Sequence, residues 1–141
     1  MIWFRPYTLD ELNGRPKNHM GALLGIEFTS LGEDFLEARM PVNARTHQPA
    51  GILHGGASVV LAETLGSVAS NMVIDDSKYM GVGLEVNANH LRPVASGFIK
   101  GICKPLHIGS NTLVWEIKMM TDRGKMNCVS RLTVAVIPVN K

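Results

Sequence analysis

Runs of basic residues and abundant aromatic side chains are both missing from this sequence of 141 residues. It has two Trp, two Tyr and four Phe, and its formal net charge is only +2. Nucleic-acid-binding surfaces need a basic stripe that follows the phosphates, or aromatic rings on which bases stack. We therefore expect no nucleic-acid partner.

Long apolar runs are missing as well. No uninterrupted apolar stretch reaches the roughly eighteen residues of a membrane span. Asp10 and Glu11 stand early in the N-terminal segment, which lacks the apolar core and cleavage site of a secretory signal. These features predict a cytoplasmic protein without membrane association.

Cysteine is scarce, and no metal-binding pattern is present. Cys103 and Cys128 stand far apart, which fits neither a disulfide framework nor a metal pair. The five histidines show no HxxxH spacing. We therefore predict two reduced thiols in buried strands, no metal site and no bound cofactor.

The residues that are present predict one α+β domain over 1–141, since 45% of them are hydrophobic and no repeat or linker interrupts them. Thr8 and Glu11 have the capping-box spacing at the start of a short helix that Gly14 ends. Residues 26–31 and 34–42 read as two strands of a hairpin, because apolar and polar residues alternate in the second.

A loop over residues 44–54 then leads into a long helix, from Gly55 to about Met72, with apolar residues on most sides. Such a helix is typically buried. Four further strands are expected over residues 80–94, 97–108, 112–122 and 125–139, joined by loops short enough for antiparallel neighbours. The predicted architecture is a long central helix wrapped by an antiparallel sheet.

One carboxylate, Glu63, stands in this apolar helix without a nearby Lys or Arg, although burying an unpaired charge is costly. At 100° per residue, Glu63 shares a face, within about 40°, with small or polar residues. These are Gly56, Val59, Ser67 and Ser70. We expect this face to look into a crevice rather than into the core.

The helix opens with His54-Gly55-Gly56, where free backbone N–H groups could bind a developing oxyanion. Gly55 and Glu63 are about 12 Å apart along a helix, too far to act on one carbonyl group. Two antiparallel helices across a two-fold axis would bring Glu63 of one subunit near Gly55 of the other. The spacing therefore predicts an obligate homodimer with two shared active sites.

A lone carboxylate with an oxyanion donor suits thioester cleavage, because a thiolate, from a thiol with a pKa of about 8.5, leaves without a strong general acid. Glu63 could activate water or attack the carbonyl directly; the sequence leaves both open. Ser67 could orient the water, and Gln48 and His54 could polarise the carbonyl or hold the substrate.

Two segments, RTHQPAGILHGGASVVLAETLGSVAS and GVGLEVNANHLRPV, resemble the hotdog-fold acyl-CoA thioesterases. The branch includes phenylacetyl-CoA and 4-hydroxybenzoyl-CoA thioesterases. The resemblance implies the hotdog fold, a dimer with a continuous sheet, often a dimer of dimers, and an acyl-CoA substrate. An aromatic acyl group is expected, and 1,4-dihydroxy-2-naphthoyl-CoA of menaquinone synthesis is a candidate.

The resemblance also implies roles for individual residues. Glu63 matches the catalytic carboxylate, Gly55 the amide donor, Gln48 and His54 the supporting polar groups of the opposite subunit, and Ser67 a hydroxyl near the water. The coenzyme A end is expected at Gly83, Asn89, His90, Arg92, Lys104, His107, Gly109 and Ser110. Ala50 stands where an aromatic residue is expected, which would widen the acyl end.

Three alternatives stay open. A broad-range proofreading thioesterase would accept many acyl groups. A hotdog dehydratase or hydratase normally needs a paired acid and base, whereas one carboxylate is visible. A non-catalytic acyl-CoA-binding protein would bind without turnover and leave Glu63 unexplained.

Overall fold

The computed structural model describes residues 1–140, and six antiparallel strands form its single sheet. They are β1 (Glu27–Leu31), β2 (Leu36–Pro41), β3 (Tyr79–His90), β4 (Phe98–Ile108), β5 (Thr112–Thr121) and β6 (Met126–Pro138). Their order across the sheet is β1-β2-β4-β5-β6-β3. The six predicted strands are all confirmed, with small differences at their ends.

Two short helices, α1 (Leu9–Asn13) and α2 (Met20–Leu23), precede the sheet. The capping box at α1 is confirmed, since the Thr8 hydroxyl accepts from the Glu11 N–H while Glu11 accepts from the Thr8 N–H. Helix α2 was not predicted. It spans four residues, and the residue that caps it, His19, is not a typical capping residue.

The long helix α3 (Gly55–Val73) packs against the sheet and contacts every strand from β2 to β6. Leu61, Leu65 and Ala69 of α3 are fully buried and belong to the same apolar cluster as Trp115 of β5. Burying a leucine side chain contributes roughly 1.5–3 kcal/mol, so this face of the helix is a major source of stability. The hotdog architecture expected from the sequence is confirmed.

Among the residues predicted to share an open face with Glu63, Ser70 is the one whose position contradicts the prediction. It is completely buried; its hydroxyl donates to the Gly66 carbonyl and accepts from the Trp115 indole N–H at 2.8 Å. Strand β3 covers this end of the helix, because a Cβ at Gly81 would lie 3.1 Å from the Ser70 Cβ. The expected crevice therefore does not extend to Ser70.

Strand β3 forms one edge of the sheet and pairs only with β6. Four of its large apolar side chains are exposed: Tyr79, Met80, Val82 and Leu84. A long edge strand with apolar side chains is a natural template for pairing with another strand. This edge is where a second copy of the chain could extend the sheet.

Both cysteines are free and buried, as predicted. Burial raises the pKa of the Cys103 thiol well above its usual range and also raises that of Cys128. Thiolate formation is therefore disfavoured. No helix among residues 1–140 is long and apolar enough to cross a membrane.

Candidate active site

The first turn of α3 leaves the backbone N–H of Gly55 free. His54 is the N-cap: its Nδ1 accepts from the Gly56 N–H at 2.8 Å, and its carbonyl accepts from the Ala57 N–H at 3.0 Å. No acceptor for the Gly55 N–H lies among the described residues. The unpaired N–H groups of a helix N-terminus favour negative charge, so Gly55 is positioned to bind an oxyanion.

The His90 ring lies directly against Gly55. A Cβ added to Gly55 would be 2.9 Å from His90 Nε2, so a side chain at residue 55 would have to displace the ring. His90 was expected at the coenzyme A end of the substrate. Its position beside the free N–H places an imidazole next to the candidate oxyanion site.

Gln48 and Arg92 join Gly55 and His90 around a cleft of about 390 Å³. The Gln48 Oε1 accepts from the backbone N–H of Ala50, which fixes the side chain by a local turn. The amide nitrogen of Gln48 is a further donor at the same cleft. Ala50 is exposed on this turn and is not a lining residue of the cleft.

Glu63 stands two turns further along α3 and is half-buried. Its Oε1 would be only 2.5 Å from a Cβ on Gly83, so the carboxylate lies against the bare backbone of β3. No hydrogen bond or ion pair to Glu63 is found within residues 1–140. Gly83, predicted as a substrate contact, is the residue whose missing side chain makes room for the carboxylate.

These contacts show how α3 and β3 are aligned. Gly55 meets His90, Glu63 meets Gly83 and Ser70 meets Gly81, so the helix runs antiparallel to the strand. The candidate donor and the candidate base therefore lie at two separate places along one strand. The structure does not bring Gly55 and Glu63 of one chain together, which agrees with the spacing argument.

Ser67 lines a separate cavity of about 460 Å³ between α3 and the N-terminal segment. Thr64 and Val68 of the helix line it too, and its apolar wall includes Leu12 and Phe28. Three basic side chains, Arg15, Lys17 and His19, stand on its rim. This cavity adjoins the Glu63 turn of the helix rather than the Gly55 turn.

The remaining predicted coenzyme A residues do not gather around the Gly55 cleft. Asn89 lines a small cavity with Glu116 and Arg131, and Lys104 pairs with Asp34 at 3.9 Å. His107, Gly109 and Ser110 lie at the turn between β4 and β5. Through the strand pairing, this turn is at the Gly83 end of the sheet, away from His90.

Four polar residues near the Gly55 cleft were missed by the sequence reasoning. They are Ser58, Asn127, Arg123 and Lys125. Ser58 follows Gly55 by three residues on the same helix, and that spacing was a signal that could have found it. The other three come together with Gly55 only through the sheet. No group of three or more His, Cys, Asp or Glu side chains able to hold a metal lies within residues 1–140.

Comparison with known proteins identifies the family. The model of the thioesterase superfamily matches residues 50–128. This chain belongs to the thioesterase superfamily. It is 51% identical to the Pseudomonas aeruginosa protein PA1618, named an esterase, over 98% of this chain and 95% of that one. It is 50% identical to the 1,4-dihydroxy-2-naphthoyl-CoA hydrolase of Escherichia coli, over 97% of this chain and all of that one.

Solved structures of thioesterases support the same family assignment. The crystal structure of a Gln→Ala variant of thioesterase PA1618 superposes with a TM-score of 0.97 over 99% of this chain and 100% of the other, at 50% identity. This chain is therefore a thioester hydrolase with the hotdog fold.

Two further thioesterase structures are Glu→Ala and Gln→Ala variants of SAV0944 from Staphylococcus aureus, each 36% identical to this chain. They have TM-scores of 0.83 and 0.79 over 86% and 82% of this chain, and 100% and 95% of theirs. The two substituted positions are as far apart in that sequence as Gln48 and Glu63 are here.

Proposed function

We propose that this thioesterase hydrolyses an aromatic or related acyl-CoA, with Glu63 as the base or nucleophile and the Gly55 N–H as the carbonyl donor of the opposite subunit. The observation that carries the proposal is the pair of separated half-sites. The Gly55 N–H has no acceptor, and Glu63 has no partner, among the described residues.

The chemistry follows from these two groups. The Gly55 N–H binds the thioester carbonyl oxygen and stabilises the negative charge that develops on it. Glu63 either takes a proton from a water, whose oxygen attacks the carbonyl carbon, or attacks that carbon to form an anhydride that water then opens. The carbon–sulfur bond breaks, and coenzyme A leaves as a thiolate that needs little acid assistance.

The exposed edge of β3 supports the shared site. If two β3 edges pair antiparallel, the Gly83 end of one strand lies beside the His90 end of the other. Glu63 lies against Gly83, and Gly55 lies against His90. Each Glu63 therefore approaches the free N–H of the partner's Gly55. The same pairing brings the partner's β4–β5 turn, with His107, toward His90. Further association into a dimer of dimers stays a prediction.

The cavity beside Ser67 suits the acyl group. Its apolar wall fits an aromatic ring, and the basic rim at Arg15 and Lys17 suits a ring with polar or anionic substituents. The similarity to a 1,4-dihydroxy-2-naphthoyl-CoA hydrolase makes that compound the first substrate to test. The open cavity also fits a broad-range thioesterase as the second candidate.

The experiment measures free thiol released from a panel of aromatic and aliphatic acyl-CoAs. Glu63→Gln should lower kcat by about 10²–10⁴, which is the usual contribution of a general base. Glu85→Gln is the matched control, because Glu85 is an exposed carboxylate on the same strand as Gly83. Undiminished turnover by Glu63→Gln would contradict the mechanism, and equal kcat/KM over the whole panel would favour the broad-range enzyme.

A further inference from the structure

Two residues that line the Gly55 cleft each have a buried polar atom without a partner. Ser58 on α3 is 1% exposed and Asn127 on β6 is 3% exposed. Neither the Ser58 hydroxyl nor the Asn127 Oδ1 has a hydrogen-bond partner in the part of the chain that the structure describes. Buried polar side-chain atoms are mostly paired, so two unpaired ones in a single cleft indicate a missing ligand.

Both atoms flank the place where the thioester carbonyl would bind. Ser58 is three residues after Gly55, so the two are neighbours on one helix face, about 5–6 Å apart. The Asn127 carbonyl accepts from the Leu91 N–H at 2.8 Å, which anchors this residue just beyond His90. The ring of His90 in turn lies on Gly55.

The chemistry of the two atoms matches a secondary amide. A serine hydroxyl can donate to an amide carbonyl, and an asparagine Oδ1 can accept from an amide N–H. The thiol arm of coenzyme A carries its first amide two methylene groups from the sulfur. The distance from the thioester carbonyl to this amide is therefore comparable to the distance between Gly55 and Ser58.

The surroundings indicate that the thiol arm, rather than the acyl group, passes these residues. Arg92 lines both the Gly55 cleft and an adjoining cleft of about 640 Å³ that also has Arg123 and Lys125. Three cationic side chains suit the phosphates of coenzyme A. The one carboxylate there, Asp122, accepts from the Phe98 N–H at 3.2 Å.

We infer that Ser58 and Asn127 bind the first amide of the thiol arm, Ser58 donating to its carbonyl and Asn127 accepting from its N–H. The inference rests on the proposed function, since it takes the thioester carbonyl to lie at Gly55. A thiol without that amide leaves both buried atoms unpaired, which makes these residues determinants of thiol specificity.

The test removes matching groups from the protein and from the substrate. The substrates are the benzoyl thioesters of three thiols: N-acetylcysteamine, 2-mercaptoethyl acetate and butanethiol. The second has an oxygen in place of the amide N–H, and the third has no amide or ester group. Asn127→Leu should lower kcat/KM about tenfold for the first thioester only. Ser58→Ala should lower it several-fold for the first two, mainly through KM. Neither variant should change the butyl thioester more than about twofold.

Two controls keep the test decisive. Ser96→Ala removes an exposed hydroxyl from the adjoining cleft and should leave all three rates unchanged. Ser58→Ala removes an unpaired hydroxyl and should unfold at the wild-type temperature or above, so it carries the test if Asn127→Leu does not fold. Equal losses on all three thioesters, or a lowered unfolding temperature for Ser58→Ala, would overturn the inference. A wild-type enzyme that hydrolyses the N-acetylcysteamine thioester but no acyl-CoA would instead overturn the proposed function.

Discussion

The Gly55 turn and the Glu63 turn of α3 are held in place in different ways. At Gly55 the candidate functional group is the backbone N–H, in a turn whose His54 cap takes the neighbouring Gly56 N–H and leaves the Gly55 N–H free. At Glu63 the candidate functional group is a side chain, fixed by the space that Gly83 leaves on the facing strand. Most side-chain substitutions near Gly55 should therefore leave the donor intact, and only one that removes its N–H should abolish it. The carboxylate, in contrast, should be sensitive to the volume of the neighbouring side chains.

The largest effect on the donor is expected from Gly55→Pro. Proline is well accepted at the first position of a helix, so the helix should form, but the free Gly55 N–H, the candidate donor, is removed. Losing one oxyanion donor lowers kcat by about 10²–10³.

Gly55→Ala is the matched control, measured in the same steady-state assay. It also introduces a Cβ against His90 but keeps the N–H. If the two variants lose the same activity, the His90 contact matters and the N–H does not.

The carboxylate is expected to respond to Gly83→Ala. The new Cβ would meet Glu63 Oε1 at 2.5 Å, so the carboxylate has to move. A displacement of about 1 Å from the reacting geometry can lower kcat by up to about 10²-fold. Steady-state kinetics together with a crystal structure of the variant measure both the loss and the shift.

Gly81→Ala provides the comparison on the same strand. Its Cβ would contact Ser70 and Val134 rather than Glu63, so it should lower stability more than kcat. A Gly83→Ala enzyme with wild-type kcat would show that the carboxylate is not held by this close contact.

The smallest effect is expected at the cap. His54→Ala removes the acceptor of the Gly56 N–H and should lower the free energy of unfolding by about 1 kcal/mol, as loss of a helix cap usually does. His54→Asn keeps a capping acceptor and should recover most of that loss. Thermal unfolding measures the first effect, and kcat tells whether the ring has a further role: if it has, asparagine restores stability but not turnover.

The sequence reasoning predicted the sheet and the central helix, because alternation and a proline-free apolar run are local signals. The two half-sites, inferred from a lone carboxylate and a glycine-rich helix start, stay a prediction. The same reasoning missed α2, whose single turn leaves no periodic pattern. It also expected an open face at Ser70, where β3 in fact covers the helix. Asn127 could not be found, since nothing in its neighbourhood along the chain shows that folding leaves its Oδ1 without a partner.

The residues predicted to bind coenzyme A show the same limit of reasoning from sequence alone. Arg92 lines the Gly55 cleft, whereas Lys104 pairs with Asp34 and His107 lies at the far turn. Which basic residues surround one ligand depends on strand pairing and, in the proposed dimer, on a second subunit. Neither can be read from the spacing of charges along one chain.

The central claim, that each active site takes Gly55 from one subunit and Glu63 from the other, is tested most directly by a mixed dimer. A Glu63→Gln chain and a Gly55→Pro chain carrying different affinity tags are co-expressed, and the mixed dimer is purified through both tags. One of its two sites then has both wild-type groups, so we predict about half of the wild-type kcat, far above either parent homodimer. A mixed dimer no more active than its parents would contradict the shared site.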